Sequence, residues 1–248
     1  VLARDHQKAP LMVIRPFTLP CGTLMVFIVN PTGGTLGGDT AEIRVSVGPG
    51  ARALLLTQSA ARVQPSPTGA EAVQSIEFQV AAGGRLEYYP ERVLPFAGSH
   101  FQQKIRADVE PGAEFGLCET LATGRVAMGE RLRFGRYRSQ VEVRRGGRAV
   151  YLDRTDLQPA EQPLSAPGLL GGNDYSAAGV WLGSGTPETS ATGLPAVPGR
   201  LASGLNAAGA VWLRATARSG PDLDRLLGQA REPLRAALFG APPLQVRR

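Results

Sequence analysis

The chain has 248 residues, 43% of them hydrophobic, which is enough for a substantial core and too many for a disordered segment or a disulfide-held miniature. Its 31 glycines and 20 prolines make up about a fifth of the chain against a usual share of about 12%, which disfavours a helix bundle and points to a turn-rich, mainly β protein. The net charge is +6, yet all but two of the 27 basic residues are arginines and most are scattered, so nucleic-acid binding is disfavoured without an aromatic-interleaved strand or a recognition helix.

The first expected strand is the apolar run Leu24 to Val29, the longest in the chain and far short of the roughly 20 residues that span a bilayer. The chain begins at Val1 rather than Met, with no charged-then-apolar opening segment, so residues upstream of Val1 are expected. A repeated unit follows: strand, glycine turn, second strand. Its four copies are Ile43 to Val47 with Ala51 to Gln58, Ile76 to Val80 with Arg85 to Glu91, Ile105 to Val109 with Ala113 to Glu119, and Val141 to Val143 with Arg148 to Asp153. The turns carry Gly50, Gly83-Gly84, Gly112 and Gly146-Gly147, which supply the positive φ of a tight reversal or corner. Alternation such as Ile43, Val45, Val47 puts the apolar side chains on one face. The expected fold is mainly β, with repeated β-hairpins stacked in a β-helix-like or sandwich arrangement and a short C-terminal helical segment.

Among Arg131, Arg133, Arg136, Arg138, Arg144, Arg145 and Arg148 several fall at alternating positions, as on the wet face of a strand. Residues 183–199, crowded with glycine and proline, read as a flexible loop. The segment Ala208 to Thr216 reads as a strand. Pro221 and Asp222 open a helix with Leu223, Leu226, Leu227 and Ala230 on one face. Pro233 is expected to break or kink it, leaving short helices over about 222–239 with Gly240 as C-cap.

Most catalytic signatures are absent. There is no phosphate loop ending in Gly-Lys, no C-x-x-C, no H-E-x-x-H and no G-x-S-x-G. His6 and His100 are the only histidines, and Cys21 and Cys118 the only cysteines, which fits a reducing, cytoplasmic setting without a disulfide framework. Cys118 is expected to pack as a small hydrophobe. Two features remain. Each repeat ends in a polar residue, Gln58, Glu91, Glu119 and Asp153, which would line one rim if the units stack in register. The loop Asn30-Pro31-Thr32-Gly33-Gly34-Thr35-Leu36-Gly37-Gly38-Asp39 has two glycine pairs ending in an acid, and a strand rather than a helix follows, so it is no dinucleotide fingerprint. Gly33, Gly34, Gly37 and Gly38 let the chain turn sharply so that Asp39 reaches inward, where Arg62 or Arg125 would be its partner.

This loop resembles the H-P-P-G-G-x-x-G-G-D of the UreD (UreH) family of urease accessory proteins. Val47-Gly-Pro-Gly-Ala-Arg-Ala-Leu-Leu-Leu-Thr57-Gln58, with Ala60, Ala61 and Arg62, is similar to the family's V-G-P-G-A-x-A-L-L-T-T-Q-A-A-T-K. So are Leu86 to Glu91 with Phe96, the stretch Glu119 through Gly124-Arg125 to Gly129-Glu130, and the closing Leu234 to Gly240. The chain departs from the pattern at Asn30, Thr32 and Arg62, where the family usually has His, Pro and Lys.

The resemblance implies a single UreD-like domain over residues 1–248 and a non-enzymatic, cytoplasmic scaffold. Such a protein binds apo-urease and the accessory protein UreF, with the GTPase UreG, and helps deliver nickel to the urease active site. It implies no tightly bound cofactor: nickel passes in transit and GTP belongs to UreG. Strong thiolate or imidazole sites would trap nickel, so a conduit should offer weak oxygen ligands. Asp39, Gln58, Glu91, Glu119 and Asp153 are the expected contributors. The competing readings are a β-solenoid carbohydrate-active enzyme using paired carboxylates, and an arginine-rich nucleic-acid binder.

Overall fold

The structure, a computed structural model, describes residues 1–185 and 201–244. Two short strands, β1 (Met12–Val13) and β2 (Phe17–Thr18), flank β3 (Leu24–Val29). The chain then coils four times. The first coil runs from β3 to β4 (Thr40–Val47), and the second from β5 (Arg52–Thr57) through β6 (Ala61–Val63) to β7 (Ala72–Val80). The third runs from β8 (Arg85–Tyr89) through β9 (Val93–Pro95) to β10 (His100–Val109), and the fourth from β11 (Glu114–Ala122) to β12 (Arg136–Arg145). After these come β13 (Arg148–Leu157), β14 (Tyr175–Leu182), β15 (Leu201–Leu205), β16 (Val211–Ala217) and one long helix, α1 (Gly220–Phe239).

Successive coils stack in parallel. β3, β5, β8 and β11 are neighbours in an 11-stranded sheet that continues through antiparallel β14, β16 and β15. β4, β7, β10 and β12 are neighbours in a five-stranded sheet closed by antiparallel β13. Thus the mainly β, β-helix-like stacking expected from the repeat is what the chain forms. The two strands of the first three units, however, lie in different sheets, so their glycine turns are corners rather than hairpin loops. Gly83 N donates to Gly112 O at 3.2 Å, which stacks one corner on the next. A Cβ at Gly84 would stand 2.8 Å from Gly48 O, so side chains are excluded where corners touch. Only the fourth unit is a hairpin. Arg145 pairs with Arg148 across Gly146-Gly147, whose φ of 55° and 80° match the two-residue turn that joins twisted antiparallel strands.

The core lies between the sheets. Ile43, Ile76, Ile105 and Val141 form one rung of the small sheet and face Val26, Leu55, Tyr88 and Leu117 of the large one. The small sheet is wet outside and alternates: β4 carries Glu42, Arg44 and Ser46 between Ile43, Val45 and Val47. The large sheet is buried on both faces, so β8 is buried at every position. Its outer face is covered by α1, whose Leu223, Leu226, Ala230, Leu234 and Leu238 pack on Leu54, Tyr89, Trp181 and Leu213. Cys118 joins this apolar layer, as expected of a small hydrophobe.

Helix α1 corrects the expectation of short helices. It starts at Ser219, whose side chain accepts from Asp222 N at 3.2 Å, and ends at Gly240 with φ 56°, yet it runs without interruption through Pro233. A proline inside a helix costs about 3 kcal/mol. Beyond Pro233 the helix buries Leu234, Leu238 and Phe239, each worth about 1.5–3 kcal/mol, so burial outweighs the break. Pro233 itself is exposed, where water can replace the missing amide. Most of the loop expected over 183–199 lies outside the described residues. Among the described residues no helix is long and apolar enough to cross a membrane.

Candidate functional site

The glycine-rich loop follows β3 and adds a rung to the stack. Thr35 bridges to Val63 of β6, which pairs with β9, and β9 pairs with Leu121 of β11. Thr35 N donates to Arg62 O and Gln64 N to Thr35 O, both at 2.9 Å. Two of the four glycines are required by contact. A Cβ at Gly34 would lie 2.5 Å from Arg62 O, and one at Gly37 2.3 Å from Ser66 Oγ. Gly38 is needed for its φ of 90°, while around Gly33 nothing lies within 4 Å.

Asp39 does not reach inward. It is exposed, and its Oδ2 accepts from Leu36 N at 2.8 Å, bracing the turn from outside. Neither expected partner pairs with it. Arg62 serves the loop through its carbonyl, and Arg125 stacks 4.5 Å over Phe96 and donates to Glu130, whose carboxyl it holds below the usual range. The turn holds Asp39 on the surface, where water solvates its carboxylate and no guanidinium partner is needed.

The single polar rim expected from spacing does not form, because pairing register splits its four members. Arg52, Arg85 and Glu114 align across the large sheet, each two residues past its corner glycine. Gln58 and Glu91 fall an even number of residues beyond that row and Glu119 an odd number, which sends them to opposite faces. Gln58 is exposed, and Glu91 lines a cleft under α1. Glu119 points between the sheets, and Asp153 comes inward from the other sheet, on the rung of Val141.

Glu119 and Asp153 therefore lie near enough for their charges to interact, within a polar cluster that no strand shows alone. Glu119 is 8% exposed and accepts hydrogen bonds from Gln103 Nε2 and from Ser139 Oγ at 3.2 Å. Gln103 and Ser139 are register partners on β10 and β12. Asp153 is ion-paired with Arg214 of β16, tying the small sheet to the large one. Burial pushes the Glu119 carboxyl up to about 7 against those hydrogen bonds, and the Asp153 charge adds to the rise. Burial and the same charges raise the phenols of Tyr88, Tyr137 and Tyr151 above their ordinary value. The cluster offers oxygen donors and one carboxyl that exchanges its proton near neutrality. Among the described residues no three His, Cys, Asp or Glu side chains stand close enough together to hold a metal ion.

A second buried network was not anticipated from sequence. Glu87 and Arg235, both 0% exposed, form a two-point ion pair at 2.6 and 2.8 Å across the large sheet and α1. Tyr89 OH donates to Glu87 at 3.0 Å, and Trp181 Nε1 donates to Tyr89 OH at 3.1 Å. Beside it Arg85 pairs with Glu114 at 2.6 Å and donates to Phe239 O. The available signal was a lone acid in Leu86-Glu87-Tyr88-Tyr89 and a lone base between Leu234 and Leu238. Several surface arginines are likewise engaged: Arg136 with Asp156, Arg138 with Glu71, Arg144 with Glu142.

Comparison with known proteins gives a consistent result. A sequence model described as the UreD urease accessory protein matches residues 1–248. The chain is 60% identical to the urease accessory protein UreD of Deinococcus radiodurans, over 100% of this chain and 89% of that protein. It is 38% identical to the UreD of Herpetosiphon aurantiacus over 71% of this chain, and 40% identical to that of Sorangium cellulosum over 74%. Those two alignments span 61% and 57% of the relatives' own lengths.

Proposed function

From the premise that this chain belongs to the UreD urease accessory protein family, we propose that it serves urease maturation as a non-catalytic scaffold. In this reading it binds apo-urease together with UreF and the GTPase UreG, and it helps nickel reach the urease active site in the cytoplasm. The observation that carries the proposal is the match of the whole chain, with 60% identity to a UreD across its full length.

The interior supports the nickel route in chemical terms. Divalent nickel binds imidazole and thiolate too tightly for ready release, whereas carboxylate, amide and hydroxyl oxygens exchange it. Glu119, Gln103, Ser139 and Asp153 supply such oxygens between the sheets. Within the proposed route Glu119 and Asp153 are the inner members. Asp39, Gln58 and Glu91 belong to outer surfaces that a partner could reach. No cofactor is proposed for this chain: nickel is cargo, and GTP is held by UreG.

Co-expression with UreF, UreG and apo-urease, followed by size-exclusion chromatography and urease activation with nickel and GTP, tests the proposal. A stable complex that activates urease is expected. Elution of this chain alone, with the partners shown to be folded, would overturn the scaffold reading. Full activation by the paired Glu119→Ala and Asp153→Ala variants would remove the nickel route and leave the scaffold.

A further inference from the structure

Strand β4 is a free edge of the small sheet. Among the described residues it pairs only with β7, although it is eight residues long. The carbonyls of Asp39, just before β4, and of Val47 accept from Val73 N and Ala81 N, so the odd-numbered residues turn their backbone groups toward β7. The backbone groups of Thr40, Glu42, Arg44 and Ser46 therefore point away from the sheet, and none has a hydrogen-bond partner among the described residues. Two other edges are blunted. β1 and β2 cover β3, while β13 is bulged and its Val150 carbonyl accepts from Asn206 Nδ2 at 2.8 Å.

The outer face of this sheet carries a ladder of alternating charge. Arg44, Glu77, Arg106 and Glu142 are register partners in turn on β4, β7, β10 and β12. Opposite charges facing each other across strands stabilise a sheet, whereas like charges oppose pairing. The ladder stops at Arg44, so a strand added to β4 should present an acid there, and a base opposite Glu42. Arg44 is paired with Glu42 and lies 3.4 Å from Glu77. Its side chain is nevertheless 67% exposed and that of Glu42 53%, so both can reach a new neighbour.

We propose that β4 pairs antiparallel with β4 of a second copy of this chain, about a two-fold axis at Ile43. Glu42 then stands opposite Arg44 of the second copy, Arg44 opposite its Glu42, and Thr40 opposite its Ser46. All of these are outward residues, so each pair exchanges both backbone hydrogen bonds. Neighbouring registers fail on charge: a two-fold at Glu42 opposes two carboxylates, and one at Arg44 opposes two guanidinium groups. The strand itself thus carries the base and the acid that its edge calls for, in the order a two-fold requires. Such a contact closes on itself rather than growing a fibre. On the core side the half-buried Ala41 comes against Val45 of the second copy, and both lose water. One strand pair is a small contact, so the dimer forms in the micromolar range. This inference does not rest on the urease reading.

The test is sedimentation velocity of the full chain over about 1–100 μM, with backbone amide exchange measured at both ends of that range. A reversible monomer–dimer equilibrium is expected, with exchange in the β4 segment slower at the higher concentration. Glu42→Arg sets like charges opposite each other and should weaken dimerisation at least about tenfold, as should Arg44→Glu. Both side chains are exposed, so the two variants should melt close to the parent. Mixed in equal amounts, they should recover most of the parent's association, because each offers the charge that the other lacks. A parent that stays monomeric at about 100 μM overturns the proposal. So do variants that self-associate like the parent, or a mixture that associates no more tightly than either variant alone. Because this assay needs no urease component, its failure removes the edge contact alone, and failure of co-purification removes the scaffold alone.

Discussion

Replacing Glu119 by glutamine should change how stability depends on pH more than it changes stability itself. The folded carboxyl titrates at about 7, against 4.5 for an ordinary glutamate. The sign follows from proton binding. Between those two values the folded state holds a proton that the unfolded chain has released, so stability falls as pH rises across the window. At 1.36 kcal/mol per unit, the full loss is about 3 kcal/mol, of which about 2 kcal/mol falls between pH 5 and pH 7.5. Glu119 is almost wholly buried, so solvent screening takes little from that figure. Glutamine keeps an oxygen for Ser139 and Gln103 but carries no titrating proton. Urea unfolding of both proteins at pH 5 and pH 7.5 gives the answer. The Glu119→Gln variant should gain about 2 kcal/mol on its parent between the two conditions, or roughly 4–8 °C in Tm for a chain of this size. Parallel pH profiles, agreeing within about 0.5 kcal/mol, would show that burial does not dominate at Glu119, and the reasoning would fail.

Substitutions in three further places, the glycine-rich loop, the Glu87–Arg235 pair and α1, probe the rest of the structure. Gly37→Ala places a Cβ against Ser66 Oγ and should destabilise by about 1–3 kcal/mol, whereas Gly33→Ala meets nothing and should leave the urea midpoint nearly unchanged. Arg235→Met strands the Glu87 carboxylate in the core and should cost about 3–5 kcal/mol by denaturant unfolding, while the double variant with Glu87→Leu should recover much of it. Pro233→Ala restores an amide inside α1 and should stabilise by up to about 3 kcal/mol, with a matching rise in Tm. A neutral or destabilised Pro233→Ala protein would mean that α1 depends on a local bend there.

Local patterns are legible from the chain alone because they rest on neighbours a few residues apart. Leu24 to Val29, the alternation of Ile43, Val45 and Val47, the corner glycines and the cap at Gly240 all appear as expected. So does the β-helix-like stacking, since a strand-turn-strand unit repeated every 30 or so residues cannot bury its apolar face without a copy of itself. Partnership across the fold was not legible. Whether Gly48-Pro49-Gly50 closes a hairpin or turns a corner depends on which strand supplies the hydrogen bonds, and that strand lies a full coil away. The facing of Gln58, Glu91 and Glu119 turned on one residue of register, which reverses a side chain in a strand of period two. Asp39 looked like an inward acid until the Leu36 amide took it. Pro233 sits inside a helix because the layer beneath it outweighs the local penalty. Sequence thus settles what each segment can form, through short-range sterics and periodicity. Which charges interact in the dark, Glu119 with Asp153 and Glu87 with Arg235, is settled only when residues far apart in the chain are packed together and lose their water.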